Sequence, residues 1–347
     1  MKKEEKIKVG ISIGDINGIG VEVVLKSFSD SRMLDFCTPI LFGSSKLISH
    51  HKKALNLNTP IHGISDINKV IDNKINLFNI WKEDVDVEFG VSSKMAGKYA
   101  YLSLKSAVES LNNGDIDVLV TAPINKDNIQ SDEFKFQGHT EYLNSKIEGK
   151  SLMILLTDEL RVGLITGHIP INDIAKTITP ELITEKVDIM HTTLVKDFNI
   201  RKPKIAILGL NPHCGDNGVI GDEDQEIVLP TIEAIKKTGK QIYGPYAADS
   251  FFGSKTYKSF DGILAMYHDQ GLAPFKTLSF GKGVNFTAGL DKVRTSPDHG
   301  TAYEIAGKNL ANEASFKEAI FVAIKVFNNR SEYNELTSNV LKSRRSR

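Results

Sequence analysis

Cysteine is nearly absent from this chain. Only Cys37 and Cys214 occur in 347 residues, which rules out a disulfide framework and fits a reducing compartment. An excess of one charge is missing as well: 43 Lys and Arg balance 43 Asp and Glu. No overall field then favours nucleic acid or an anionic membrane, and neither is expected as a partner. No apolar run approaches the roughly 20 residues of a membrane helix. The start, Met1-Lys2-Lys3-Glu4-Glu5-Lys6, has no apolar signal region. The expectation is a cytoplasmic globular protein. Dinucleotide and phosphate fingerprints are lacking too: Gly14-Asp15-Ile16-Asn17-Gly18-Ile19-Gly20 matches neither G-x-G-x-x-G nor the P-loop spacing. No solenoid repeat and no low-complexity linker appears, so a second domain must be an insertion that shares two crossings with the first. The one charge run, Lys342 to Arg347, reads as a solvated terminus.

What is present is an alternation of strand and helix patterns, the mark of an α/β protein with a largely parallel sheet. Strands are expected at Lys8 to Ile13, Pro39 to Phe42, Ile75 to Ile80, Val118 to Thr121 and Gly283 to Ala288. Helices are expected at Lys94 to Leu111, Pro180 to Val195 and Gln225 to Lys237, where Pro230 kinks the helix or shifts its start. Two more should follow Asp298 and Ala314. The glycine-rich turn reads first as a tight βα connection and second as a phosphate contact. The domain crossings are expected near Asn125 and Thr287, giving one domain from 1–124 plus 288–347 and another from 125–287.

Three times an apolar, strand-like run is followed within a few residues by a histidine. Val162 to Thr166 precedes His168, Ile205 to Leu208 precedes His213, and Ile263 to Met266 precedes His268. Ligands of open α/β sheets bind beyond such strand ends. Three imidazoles with an open position make a catalytic divalent site, and the alternative is three separately satisfied polar residues. Cys214, beside His213, reads as a small packed residue, and His50, His51, His62 and His191 as solvent-facing or structural. In Gly138-His139-Thr140-Glu141, Thr140 is a candidate helix cap and His139 a candidate anion contact at the positive helix end. Asp269 and Gln270 should fall in the crevice beside His268. Lys276 would be turned back toward it by Gly271 and Pro274. Lys276, Asn285 and Arg294 offer donors for carboxylate or phosphate.

These segments together resemble the 4-hydroxythreonine-4-phosphate dehydrogenase family (PdxA). The resemblance runs from Gly14-Asp15 through Thr121 to Lys126, Gly138 to Glu141, Thr166 to Pro170, Asn211 to His213, Ala248 to Phe252 and Tyr267 to Gly271, ending at Asp298 to Ala302. Departures are Cys214 and Asp216, where Ala and Glu are common, and Ile16-Asn17 in the first turn. The resemblance implies two α/β/α domains with a cleft between them, like isocitrate and isopropylmalate dehydrogenases and not Rossmann. It implies His168, His213 and His268 as ligands of one divalent metal (zinc, cobalt, manganese or magnesium). His139, Thr140, Lys276, Asn285 and Arg294 become substrate contacts, and Asp298, His299 and Gly300 a cofactor loop for NAD or NADP. Lys276 and Asp249 are the candidate bases. A homodimer with shared sites follows. The implied reaction is oxidation of 4-hydroxythreonine 4-phosphate, with decarboxylation, in pyridoxal 5'-phosphate (vitamin B6) biosynthesis. The alternatives are a relative oxidising D-threonate or D-erythronate 4-phosphate or another diol, a metal-dependent hydrolase, and a phosphotransacetylase-like acyltransferase.

Overall fold

The computed structural model describes residues 6–279 and 281–339. The Lys342 to Arg347 run lies outside them. Twelve strands form one sheet: β1 (Lys8–Ser12), β2 (Thr38–Gly43), β3 (His62–Ile64), β4 (Asn76–Asn79), β5 (Val118–Thr121), β6 (Gly149–Leu156), β7 (Arg161–Leu164), β8 (Lys204–Leu208), β9 (Gln241–Tyr246), β10 (Gly262–Ala265), β11 (Val284–Leu290) and β12 (Val293–Pro297). Their order across the sheet is β3-β4-β2-β1-β5-β12-β11-β6-β7-β10-β8-β9. Eight of the eleven pairings are parallel. The three antiparallel ones join β12, β11, β6 and β7 in the middle.

That middle decides where a ligand can sit. Side chains alternate between faces along a strand. Asn285 on β11 stands opposite both Leu155 on β6 and Ser296 on β12, so these three form one row across the sheet. A cavity opens on this face, against Met153, Leu155, Asn285, Arg294 and Ser296. The expectation of a site beyond parallel strand ends is therefore half right. Strand ends deliver His168 and His268, but the floor is the face of antiparallel strands.

The parallel flanks are buried on both faces, as continuous Ile, Val and Leu runs require. Val9, Ile11, Val118 and Val120 pack on one side of the sheet, and Ile40, Phe42 and Leu119 on the other. The helix Lys94–Asn113 begins with Ser93 accepting the Ala96 N–H, an ordinary serine N-cap. Pro230 falls in the first turn of Leu229–Lys236 and moves the helix start there, after a π-helical turn over Asp224–Val228. Two expectations fail. Only a single 3₁₀ turn, Tyr303–Ile305, follows Asp298, because Ala302, Gly307 and Asn309 all take positive φ and interrupt a helix. The stretch from His268 to Ser279 does not turn back at Gly271 and Pro274; it is one helix with Pro274 inside.

Gly14 to Gly20 forms a wholly buried connection. A side chain at Gly14 would lie 2.2 Å from the Pro123 carbonyl, and one at Gly18 would lie 2.8 Å from the Thr301 carbonyl. The glycines thus admit neighbouring backbone, as the first reading of this turn expects. Asp15, fully buried, accepts hydrogen bonds from Asn128 (2.7 Å) and the Tyr303 hydroxyl (2.8 Å). It ties the turn to the loops on either side of the cavity. Among the described residues no helix is long and apolar enough to cross a membrane.

Candidate active site

The helix His268–Ser279 brings His268, Leu272 and Lys276 to the cavity at i, i+4 and i+8, one face of the helix. Its anchor is Gln270. That side chain accepts from the Met266 N–H (2.7 Å) and donates to the Gly209 carbonyl (2.6 Å), clipping the ends of β10 and β8 together. Gln270 is therefore a strand clip, not a crevice group. His139 opens the helix His139–Lys146 beside the extended Gly138, and no side chain caps it. Thr140 lines the cavity instead of capping, since the small N-cap glycine leaves the first turn facing the ligand space.

His168 and His268 lie side by side, ring centroids 5.4 Å apart. Each has its Nδ1 against a carboxylate: His168 on Glu141 at 3.3 Å and His268 on Asp269 at 2.7 Å. A carboxylate accepts only, so Nδ1 is the donor in each ring, and in the neutral tautomer that fits this bond Nε2 keeps its lone pair. Lys126 Nζ stands 3.3 Å from His168 Nε2. Burial raises the Glu141 pKa, but the hydrogen bonds from His168 and from its own backbone N–H, with the nearby Lys126, outweigh it and hold the carboxyl below its ordinary value.

Arg294 is 1% exposed. Its Nε and Nη2 donate to the Thr121 hydroxyl at 3.1 and 2.5 Å, and Nη1 donates to Thr287 at 3.1 Å. Among the described residues no carboxylate bonds it. Burial pulls its pKa down to about 9, which leaves the guanidinium charged at neutral pH. His139 is driven well below its ordinary value by burial and by the charges of Arg294 and Lys126, so its ring is neutral. Asp298 is raised by burial, with Lys276 and His299 pulling it back, and Lys276 Nζ donates to the Asp298 carbonyl at 3.3 Å. Among the described residues, the nitrogen His139 Nε2 and the oxygens Glu141 Oε2 and Asn285 Oδ1 are buried without a partner, as is His299 Nε2. All four belong to residues lining this one cavity of about 250 Å³. Buried polar atoms ordinarily find partners, so this concentration marks a preformed polar ligand site.

The fold thus gathers His139, Thr140, His168, His268, Lys276, Asn285, Arg294 and Asp298 to Gly300 in one place. Two expected residues are elsewhere. His213 is exposed, on a segment that runs left-handed from His213 to Asn217 (φ 53°, 54°, 80°, 45° and 56°). Asp249 is exposed too, near enough to Cys214 for its charge to act there. Burial and the charges of Asp224 and Asp249 push the Cys214 thiol up to about 11, so it is neutral, as expected of a packed residue. His51 is fully buried and belongs to the structural class. Among the described residues no group of three or more His, Cys, Asp or Glu is close enough to hold a metal ion. One chain supplies two imidazole donors, a pair whose chemistry suits a divalent ion but which needs further donors to hold one. Four polar residues lining the site carry no expected role from sequence: Thr121, Lys126, Glu141 and Ser296. Glu141 had a signal, a carboxylate two residues after His139 in a helix's first turn.

A continuous α/β sheet with a polar, cationic pocket on its central face defines an enzyme of small anionic substrates, with the architecture of the dehydrogenases that lack a Rossmann domain. Residues 35–323 match the family model described as pyridoxal phosphate biosynthetic protein PdxA. The chain belongs to this family of pyridoxal phosphate biosynthesis, and it is a dehydrogenase. It is 52% identical over 342 residues to the 4-hydroxythreonine-4-phosphate dehydrogenase of Bacteroides thetaiotaomicron, covering 98% of this chain and 94% of the relative. A protein of Oceanobacillus iheyensis named putative D-threonate 4-phosphate dehydrogenase is 34% identical over 92% of this chain and 97% of its own. The crystal structure of a 4-hydroxythreonine-4-phosphate dehydrogenase from Burkholderia phymatum superposes with a TM-score of 0.75 at 35% identity, over 93% of this chain and 99% of that one.

Proposed function

We propose that the cavity oxidises the 3-hydroxyl of 4-hydroxythreonine 4-phosphate, with NAD taking the hydride, and that the resulting β-keto acid loses carbon dioxide. The observation that carries this reading is Arg294, a buried cation with only hydroxyl partners. An anion bound against it gains a charge-assisted bond in a site of low dielectric. Arg294, Lys276, Asn285, Thr140 and His139 divide the phosphate and carboxylate between them. Lys276 and Asp249 are the candidate acceptors of the hydroxyl proton. His168 and His268 would hold a divalent ion, which would supply Lewis acidity, while a nicotinamide would supply the hydride acceptor. Asp298 to Gly300 carry the nicotinamide cofactor, NAD or NADP. The cavity belongs to the join between a first domain (1–124 plus 288–347) and a second (125–287).

The missing third imidazole comes from a second copy of the chain. This accounts for His213 and Asp249 being exposed together, away from the cavity. It also accounts for large apolar side chains left in solvent beside both histidine segments: Ile171 (83% exposed) just after His168, and Val219 (80%) just after His213.

The deciding experiment measures NADH formation from 4-hydroxythreonine 4-phosphate, D-threonate 4-phosphate and D-erythronate 4-phosphate, each with and without added divalent ion. Metal-dependent turnover with the first as the best substrate is expected. Preference for the threonate would move the protein to the reading that its 34% identical relative's name suggests. No NADH from any of the three would end the dehydrogenation proposal.

A further inference from the structure

Lys126 is exposed and follows β5 on a loop anchored by Asn125, whose side-chain oxygen accepts from the Asp127 N–H at 2.9 Å. Its ammonium faces His168 Nε2 at 3.3 Å. That nitrogen has one lone pair, because Glu141 holds the ring proton on Nδ1. A divalent ion binds the lone pair of an imidazole at about 2.0–2.1 Å. One lone pair cannot serve an ammonium and a metal ion together, and two cations that close repel. The same cavity wall carries Arg294, Lys276 and His139, and the lysine stem is flexible enough to swing within it.

We propose that Lys126 and the divalent ion compete for His168 Nε2, so that binding the ion releases the Lys126 ammonium to the anionic groups of the substrate. Metal and substrate then bind cooperatively through a residue that touches each in turn. By reciprocity, an anion that draws Lys126 away tightens the metal as much as the metal tightens the anion. Lys126 is a positioning residue for metal loading and a specificity residue for an anionic ligand. The proposal rests on the reading of His168 as a metal ligand.

The test is a cobalt(II) titration of the full-length protein against a competing indicator, with and without saturating inorganic phosphate. The parent is compared with Lys126→Met and His168→Ala, and circular dichroism verifies folding. In the parent, phosphate should raise cobalt affinity severalfold. Lys126→Met should bind cobalt about tenfold more tightly than the parent without phosphate, the effect of losing one charged hydrogen bond at an exposed position, and phosphate should then add little. Equal or weaker cobalt binding by Lys126→Met overturns the competition. Tighter binding with the parent's full phosphate effect intact also overturns it, since simple charge repulsion would then be acting without displacement. If His168→Ala binds cobalt like the parent, the metal reading itself has failed, whatever Lys126→Met does.

Discussion

At the residue scale, Arg294 sets function against stability. A buried guanidinium held by hydroxyls alone loses hydration that the threonines do not fully replace. Removing it should therefore harm activity and spare the fold. Arg294→Met is expected to lose about 2–5 kcal/mol of transition-state stabilisation, read as kcat/KM, while its Tm stays level or rises. Arg294→Lys keeps a charge but not the planar fork, and should remain impaired. A large fall in the Tm of Arg294→Met, with kcat/KM kept, would make the arginine a structural brace.

His51 governs a different property. Burial, then the charge of His50, lowers its pKa from the ordinary 6.5 to about 3. Both ring nitrogens are buried without partners, and the ring packs edge-on against Phe89 at 5.0 Å. Below pH 6.5 the unfolded chain takes up a proton that the native protein refuses until about pH 3. Its contribution is therefore whole above pH 6.5 and is lost as pH falls toward 3, on the order of 5 kcal/mol. Chemical denaturation between pH 7 and pH 4 should show a shallower decline in His51→Leu than in the parent. Parallel declines would mean that His51 does not carry the acid sensitivity.

At the scale of elements, the segment that presents His213 is held from behind. Asp224, fully buried, accepts from the backbone N–H groups of Leu210 (2.7 Å) and Asn211 (2.8 Å). Five consecutive left-handed residues follow, four of them not glycine, and L-residues adopt that shape only when their surroundings insist. Asp224→Ala strands two amide donors and should destabilise the protein by about 2–4 kcal/mol. It should also weaken cobalt binding without touching the cavity. If cobalt affinity is unchanged, His213 is not a ligand.

β1, β2, β4, β5, β7, β8, β10 and β11 could be read from sequence because they are short apolar runs between turn residues, whereas the short or polar β3, β9 and β12 could not; the helix Lys94–Asn113 could, because its pattern recurs every three or four positions. β6 carries an equally plain run, Leu152 to Leu156, yet hydrophobicity has no direction. Nothing in it says that this strand lies antiparallel between β11 and β7. From sequence, His168, His213 and His268 could only be grouped as three, by their shared place after an apolar run; the pairing of β7 with β10 then brings His168 and His268 together. The separation of His213 could not, since a left-handed turn depends on backbone torsions that composition does not write down.

For the whole molecule, the consequence of His168 and His268 meeting in the cavity while His213 lies outside it is a rule of complementation. Under the proposed shared site, His168→Ala and His213→Ala damage opposite contributions to it. A mixed dimer would retain one intact site, and random mixing should restore about a quarter of parental activity. His168→Ala mixed with His268→Ala should restore nothing, because both changes fall in one chain's cavity. Recovery in the second mixture, or none in the first with heterodimers verified by mass, would refute the shared arrangement.

The twelve strands form one uninterrupted ladder of backbone hydrogen bonds, with β11 and β12 joining the two flanks. Mechanically this is a single leaf spring, not two plates on a pin. Opening the cleft must bend or twist the leaf, so loops such as the one bearing His299 take up most of the motion that admits a substrate. Cutting the leaf would bare strand edges able to pair with other chains, so neither half is expected to serve as a free-standing module. Calorimetry should accordingly record one cooperative melting event, and two separable transitions would show that the leaf is jointed after all.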